Sequence, residues 1–376
     1  MMVFVYLMAI LLFFYAISMI SLRFLWKKIP HFETTQNDFK TKICVVIPAR
    51  NEEKNIGILL KEIISQNYPK QLLQIIVMDD DSTDETKKIV STFPDVKYYF
   101  LPDLIEKEST QAYKKKAIEL AINFTDAELI VTTDADCNFC ENWLPSLAAY
   151  YEKNKWQAII APVTFHEPKN WFDVFQRIDF NMMQAITAVL GFYHKGALAN
   201  GANFAYTKNA FEQVNGFLGI NHLASGDDML LLNKINKTFA GKSSFLKSRH
   251  AIAFTEAMPS IKDFYKQRIR WASKSAYFKD ASVILILGLM FFFNLGLFVL
   301  LLAGFFSLKL FIIFLVMIVV KSLAEIVLLY PVSDFYGSKK DLKYILILQP
   351  LHIFYIISAG FLSQFLSYDW KGRQTK

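Results

Sequence analysis

Cysteine is scarce in this sequence and charge is missing from long parts of it, and each absence closes off a class of protein. The thiols of Cys44, Cys137 and Cys140 are few and odd in number for a chain of 376 residues. A disulfide-stapled secreted scaffold is therefore excluded, and the thiols read as reduced and cytosolic. Cys137 and Cys140 form one C-x-x-C with no second Cys or His pair beside it, which leaves a zinc or redox site without its other half. Internal repeats are lacking as well, which argues against a transporter built from two similar halves. The net charge is +7. Lys and Arg nevertheless alternate with acids through the middle of the chain, so no basic run suited to nucleic acid occurs.

What the chain has in quantity is apolar surface, at 53% hydrophobic residues. Met1 to Leu22 carries no charged side chain, and a helix of about 20 apolar residues crosses a bilayer core. A cleaved signal peptide would place cations before a shorter apolar run; here Arg23, Lys27 and Lys28 follow it. The positive-inside rule then sets residue 29 onward in the cytosol. From Ala281 to Ser333 the only charges are Lys309, Lys321 and Glu325, and spans are expected near 281–306 and 310–330. Lys321 and Glu325 lie four apart on one helical face, which favours mutual neutralisation inside the bilayer. A third apolar stretch, 344–366, contains Gln349, Pro350 and His352 and reads as re-entrant or interfacial, because a full span would export the cations of the tail.

Between Lys42 and Trp271 short β-branched runs alternate with amphipathic stretches, an α/β pattern. Strands are expected at 42–47, 73–78, 96–101, 128–133 and 157–163, with helices near 53–66, 84–92, 111–124 and 141–154. That spacing suits crossover units on a mostly parallel sheet, whose ligands bind beyond the carboxyl ends of the strands.

The expected strand ends carry the chemistry. Pro48-Ala49-Arg50-Asn51-Glu52-Glu53 follows the first strand and opens a helix, where backbone amides suit a nucleotide and Glu52 could bond base or ribose. Asp79 to Asp81, followed by Ser82-Thr83-Asp84, would repel one another unless each faced its own partner. Asp134-Ala135-Asp136 ends the fourth strand; two alternating carboxylates there can hold Mg²⁺ or Mn²⁺ against a diphosphate. Lys114, Lys115 and Lys116 begin an amphipathic helix, where cations at the positive dipole end hint at a neighbouring anion, the alternative being a solvated face. Asn203, within Gly201-Ala202-Asn203-Phe204-Ala205-Tyr206, could bond a sugar. Asp227 and Asp228 precede an apolar helix as either a dipole-stabilised N-terminus or a catalytic base. Gln267-Arg268-Ile269-Arg270-Trp271 lies just before the apolar segments, where Arg suits phosphate and Trp suits a sugar or the bilayer interface.

In this order PARNEE, DDDSTD, DAD, GANFAY, GDD and QRIRW resemble glycosyltransferase family 2 across about 220 residues. The resemblance implies an inverting, metal-dependent enzyme of GT-A fold with a nucleotide-sugar donor, a UDP-sugar foremost. It assigns Asp80 to the base, Asp134 and Asp136 to metal and diphosphate, and Asp228 to proton abstraction. It further matches Lys116 to the donor site, where Ala49, Glu52 and Asn203 are also expected, and assigns Gln267, Arg270 and Trp271 to the diphosphate and acceptor mouth. Two departures stand out: Asp227 replaces a common glutamate, which leaves the choice between Asp227 and Asp228 open, and no glycine precedes the lysines. The expected organisation is a transmembrane helix over 1–26, a cytosolic GT-A domain over 40–275 and a membrane domain over 281–368. A multi-pass protein of the inner cell membrane with a lipid or lipid-linked acceptor follows. A processive polysaccharide synthase and a non-catalytic nucleotide-sugar binder are the alternatives.

Overall fold

The computed structural model describes residues 2–106, 112–194, 198–223, 225–273, 281–363, 368–370 and 373–375. It divides into two compact units, one built on a sheet (Pro30–His166 and Thr187–Glu256) and one on apolar helices (Met1–Ile29, Glu167–Ile186 and Ala257–Gln374).

The sheet unit opens with strand β1 (Ile43–Ala49), helix α2 (Ile56–Ile64), β2 (Leu73–Asp79), α3 (Thr86–Val90), β3 (Val96–Phe100), α4 (Tyr113–Asn123), β4 (Leu129–Thr132), α5 (Trp143–Asn154) and β5 (Ala158–Ile160). These coincide with the expected strands and helices, with ends shifted by a few residues. β1 reads as an unbroken apolar run because both of its faces are covered, as in a central parallel strand. It pairs in parallel with β2 and with β4, Ala49 facing Asp79 and Val46 facing Thr132. β3, part exposed along its length, closes that edge.

Beyond β4 the sheet departs from the parallel pattern. β7 (Phe204–Thr207) runs antiparallel between β4 and β5, and β8 (Ser243–Phe245) completes a seven-stranded order β3-β2-β1-β4-β7-β5-β8. The GANFAY segment is thus a buried strand with its lead-in rather than a ligand loop. Short strands β6 (Val163–Phe165) and β9 (Ala253–Thr255) pair beside it. The last turns of α6 (Trp171–Phe192) lie on β5, where Gly191 is close enough to Ile160 that a Cβ would meet it at 2.7 Å. Helices α7 (Lys208–Gln213) and α8 (Met229–Thr238) complete this unit.

The helical unit holds α1 (Met2–Lys28), the first part of α6, α9 (Ile261–Ser273), α10 (Ala281–Gly304), α11 (Leu308–Phe335) and α12 (Ile345–Leu362). Among the described residues four helical segments are long and apolar enough to cross a membrane: Met2–Lys28, Val283–Gly304, Leu308–Phe335 and Lys339–Leu362. The stretch expected to be re-entrant or interfacial forms one continuous helix through Pro350, 18 residues long, a rise of about 27 Å. The span 40–275 also divides. The first part of α6 and amphipathic α9 bury Val174, Phe175 and Phe264 against Leu348, Tyr355 and Ala359 of α12, and so group with the apolar helices.

Candidate active site

The turns after β1 and β2 clasp one another. Asn51, at φ +53°, donates its N–H to Ser82 Oγ at 2.9 Å and accepts from Thr83 N at 2.8 Å. Glu53 N donates to Asp84 Oδ2 at 3.0 Å and Glu52 N to Thr86 Oγ1 at 2.8 Å. Glu52 also accepts from Asn55 at 3.0 Å, and Ala49 ends β1 with its carbonyl on Asp80 N at 2.8 Å.

The acids after β2 do meet separate partners. Asp79 is fully buried and accepts from Ser82 N and Tyr98 Oη; its part is structural, and it pushes the Tyr98 phenol upward after burial has already raised it. Asp81 turns away in the left-handed region at φ +63°, its carboxylate 3.6 Å from Arg50. Arg50 also donates to the carbonyl of Asp80. Asp80, at 3% exposure, stands at the head of the strand between these two.

One lysine joins the remaining carboxylates. Lys114 Nζ lies 2.7 Å from Asp134 Oδ1 and 3.3 Å from Asp227 Oδ2. Burial alone would depress this ammonium; Asp134, Asp227 and Asp228 outweigh that and hold it well above the ordinary lysine range. Asp228 starts α8, accepting from Met229 N at 2.7 Å and Gly201 N at 3.0 Å. Two glycines make this approach possible. A Cβ on Gly201 would sit 3.0 Å from Asp227 Oδ2 and 3.2 Å from Lys114 Nζ, and Gly226 takes φ +80° to turn the chain into the acids.

The three lysines thus separate. Lys115, 1% exposed, donates to the carbonyls of Ile220 and Leu223 at 2.7 Å each and so tethers the loop ahead of Gly226. Lys116 pairs with Glu119 at 2.9 Å. Lys116, not Lys114, was the expected donor ligand; at about 100° per residue the two point to nearly opposite sides of α4, so only one of them can reach the carboxylates. Asn203 departs from expectation too. Its side chain, at 0% exposure, accepts from Trp143 Nε1 at 3.0 Å and donates to the carbonyls of Pro162 and Ala251 at 2.8 and 2.7 Å. Both amide hydrogens and one of the two oxygen lone pairs are spent on the fold, and the side chain has no exposed surface to offer a sugar.

Asp134 and Asp136 follow β4 and are both part exposed; Asp136 has Thr255 Oγ1 at 3.5 Å. Among the described residues no group of three or more His, Cys, Asp or Glu could hold a metal. Two carboxylates fit Mg²⁺ or Mn²⁺ in the manner of a hard cation whose other ligands are diphosphate oxygens and water. The C-x-x-C holds no disulfide: Cys137 is buried, Cys140 donates to the carbonyl of His250 at 3.0 Å, and burial with Asp136 beside it pushes the Cys137 thiol well up.

Gln267, Arg270 and Trp271 belong to the helical unit, on α9. There the buried neighbour Arg268, overlooked in the sequence, stacks 4.2 Å over the Trp271 ring and pairs with Asp179 at 2.9 Å. Its signal was available: it is the first cation of the same pentapeptide.

A sheet ordered in this way, with acids beyond the ends of β2 and β4 and a third acidic turn capping α8, defines a GT-A glycosyltransferase domain. Residues 44–214 match the family glycosyl transferase family 2. It is 28% identical over 249 residues to probable glycosyltransferase YdaM of Bacillus subtilis, covering 63% of this chain and 56% of that one. It is 29% identical over 154 residues to 4,4'-diaponeurosporenoate glycosyltransferase of Staphylococcus aureus, covering 40% and 39%. The chain thus spans about half the length of these curated relatives. Mannosyltransferase PcManGT from Pyrobaculum calidifontis, solved with GDP-Man and Mn²⁺, shares the fold with TM-score 0.60 over 96% of this chain and 98% of that one, at 18% identity.

Proposed function

We propose that this chain is a membrane-bound inverting glycosyltransferase that moves a sugar from a nucleotide-sugar donor to a lipid or lipid-linked acceptor, working at the cytosolic face of the inner cell membrane. The observation that carries it is the Lys114, Asp134, Asp227 and Asp228 cluster, set in a family 2 domain on a chain with four apolar helices long enough to span a bilayer. The clasped turns around Ala49, Glu52 and Asp80 seat the nucleoside. Asp134 and Asp136 would hold Mg²⁺ or Mn²⁺, which when bound stabilises the charge of the departing nucleoside diphosphate.

Asp228 is the base. Asp227 is bound by Lys114 and only 9% exposed, whereas Asp228 is more open while its position is fixed by two backbone N–H groups. Asp228 takes the proton from the acceptor hydroxyl as that oxygen bonds to the anomeric carbon; the bond from that carbon to the diphosphate oxygen breaks on the opposite face, and configuration inverts. Gln267, Arg270 and Trp271 serve the acceptor. A membrane acceptor is favoured because α9, which bears them, packs on the apolar helix α12.

The test is transfer from radiolabelled UDP- and GDP-sugars by the full chain in vesicles containing a membrane lipid extract, with Mg²⁺ or Mn²⁺. Label moving into the organic phase is expected. A ladder of long water-soluble chains would point to polysaccharide synthesis instead, and no transfer or nucleotide release from any donor would remove the enzymatic reading.

A further inference from the structure

The helical unit contains a line of ionisable groups that the transfer reaction does not use. At its inner end Lys321 Nζ donates to Glu325 Oε1 at 2.7 Å and to Gln349 Oε1 at 2.6 Å. Glu325 accepts from Tyr15 Oη at 2.6 Å and from the Gln349 amide. Helices α1, α11 and α12 each supply a member, and Tyr15, Lys321, Glu325 and Gln349 are all buried. An intramembrane ion pair of this kind is costly to keep.

His352 carries the line outward. Its Nδ1 lies 3.5 Å from Lys321 Nζ and its Nε2 lies 3.7 Å from Asp179 Oδ1. An ammonium has no lone pair to offer, so a neutral ring would accept at Nδ1 and carry its proton on Nε2, on the side of the carboxylate. Asp179 Oδ2 in turn lies 2.9 Å from Arg268 Nη2. The Arg268 guanidinium is sandwiched by Phe264 at 4.8 Å and Trp271 at 4.2 Å. With His352 neutral, the two cations and two carboxylates of the line cancel.

We propose that His352 is a positioning residue: it passes the orientation of the Lys321, Glu325, Gln349 and Tyr15 cluster through Asp179 to Arg268, and so sets the ring of Trp271. The importance of that ring for transfer rests on the acceptor role proposed above; the coupling itself does not. Among the described residues Arg268 Nε, Nη1 and Nη2 and Asp179 Oδ2 have no partner in hydrogen-bond geometry, so the two side chains meet as an ion pair. The guanidinium is therefore held by ring faces and the charge of one carboxylate, which also faces Tyr355, and a change at His352 reaches Trp271 through that carboxylate and Arg268.

The experiment uses the full chain in detergent micelles, labelled with 5-fluorotryptophan, with the ¹⁹F resonance of Trp271 assigned by Trp271→Phe. His352→Leu is expected to shift or broaden the Trp271 signal and leave that of Trp143, in the sheet unit, in place. His352→Gln, whose amide can both accept and donate, is expected to restore it; Asp179→Asn should perturb it with His352 intact. An unmoved Trp271 signal in His352→Leu, or loss of all tryptophan signals in both Leu and Gln variants, overturns the proposal. If the signal moves as expected while Trp271→Ala leaves transfer to vesicle lipid unchanged, the coupling stands and the acceptor role of α9 fails.

Discussion

In the sheet unit Lys114 joins Asp134, whose side chain is 40% exposed beyond β4, to Asp227, 10% exposed ahead of α8. In the helical unit Lys321 and Glu325 close on each other and on Gln349 and Tyr15, with side-chain exposures of 0% and 7% for the pair. Both places gather opposite charges, but a site that is to bind must keep part of its coordination unspent, whereas a buried pair must spend all of it. Partner satisfaction and exposure therefore separate a working charge cluster from a structural one.

Removing the proposed base should have the largest effect. Asp228→Asn keeps the backbone bonds from Gly201 and Met229 in shape but cannot take a proton, and transfer should drop by about 10²–10⁴-fold, measured as labelled product per unit time. If Asp227→Asn does so and Asp228→Asn does not, the roles of the two acids exchange. In the helical unit Lys321→Met leaves Glu325 buried without its cation and should cost about 3–5 kcal/mol, seen as a lower melting temperature in detergent. Adding Glu325→Gln should recover most of it; failure to recover would mean that the pair does more than neutralise itself.

Asp84 offers a smaller and pH-dependent effect. Slight burial would raise its carboxyl, but the Thr86 hydroxyl and the N–H groups of Glu53 and Thr86 hold it below the ordinary range. Its contribution is therefore complete above the unfolded value, about 3.9, and is lost as pH falls through the lowered one. Asp84→Ala should lose about 1 kcal/mol at neutral pH, and the difference from the parent in acid titration followed by circular dichroism should shrink toward low pH. The least effect is expected for Lys116→Ala, whose exposed pair with Glu119 contributes under about 0.5 kcal/mol; donor KM should stay within about twofold. A large rise in KM would return Lys116 to the site in place of Lys114.

Much of this was legible in the sequence because it depends on local pattern. The β1, β2 and β4 runs alternate with amphipathic helices, and the acids of DDDSTD and DAD fall directly after strands, so their gathering at one end of the sheet follows from chain direction alone. β7 was not legible as a strand: Phe204 to Thr207 is four residues long, and its pairing partners lie more than 40 residues away at β5 and more than 70 away at β4. Asn203 misled for the same reason, since its three partners come from Trp143, Pro162 and Ala251. α12 misled differently. Gln349, Pro350 and His352 look like breaks in an apolar segment until Lys321, Glu325 and Asp179 stand beside them.

The sequence by itself determined the class of the protein: apolar runs long enough for a bilayer, an α/β alternation, and acidic motifs in family order, all of them properties of residues near one another in the chain. Only the tertiary structure decided which member of each motif meets which partner. It chose Lys114 over Lys116, spent Asn203 on the core, and joined His352 to Asp179. The physical reason is that a side chain's role depends on what satisfies its hydrogen bonds and charge, and in this protein those partners come from elements far apart in sequence.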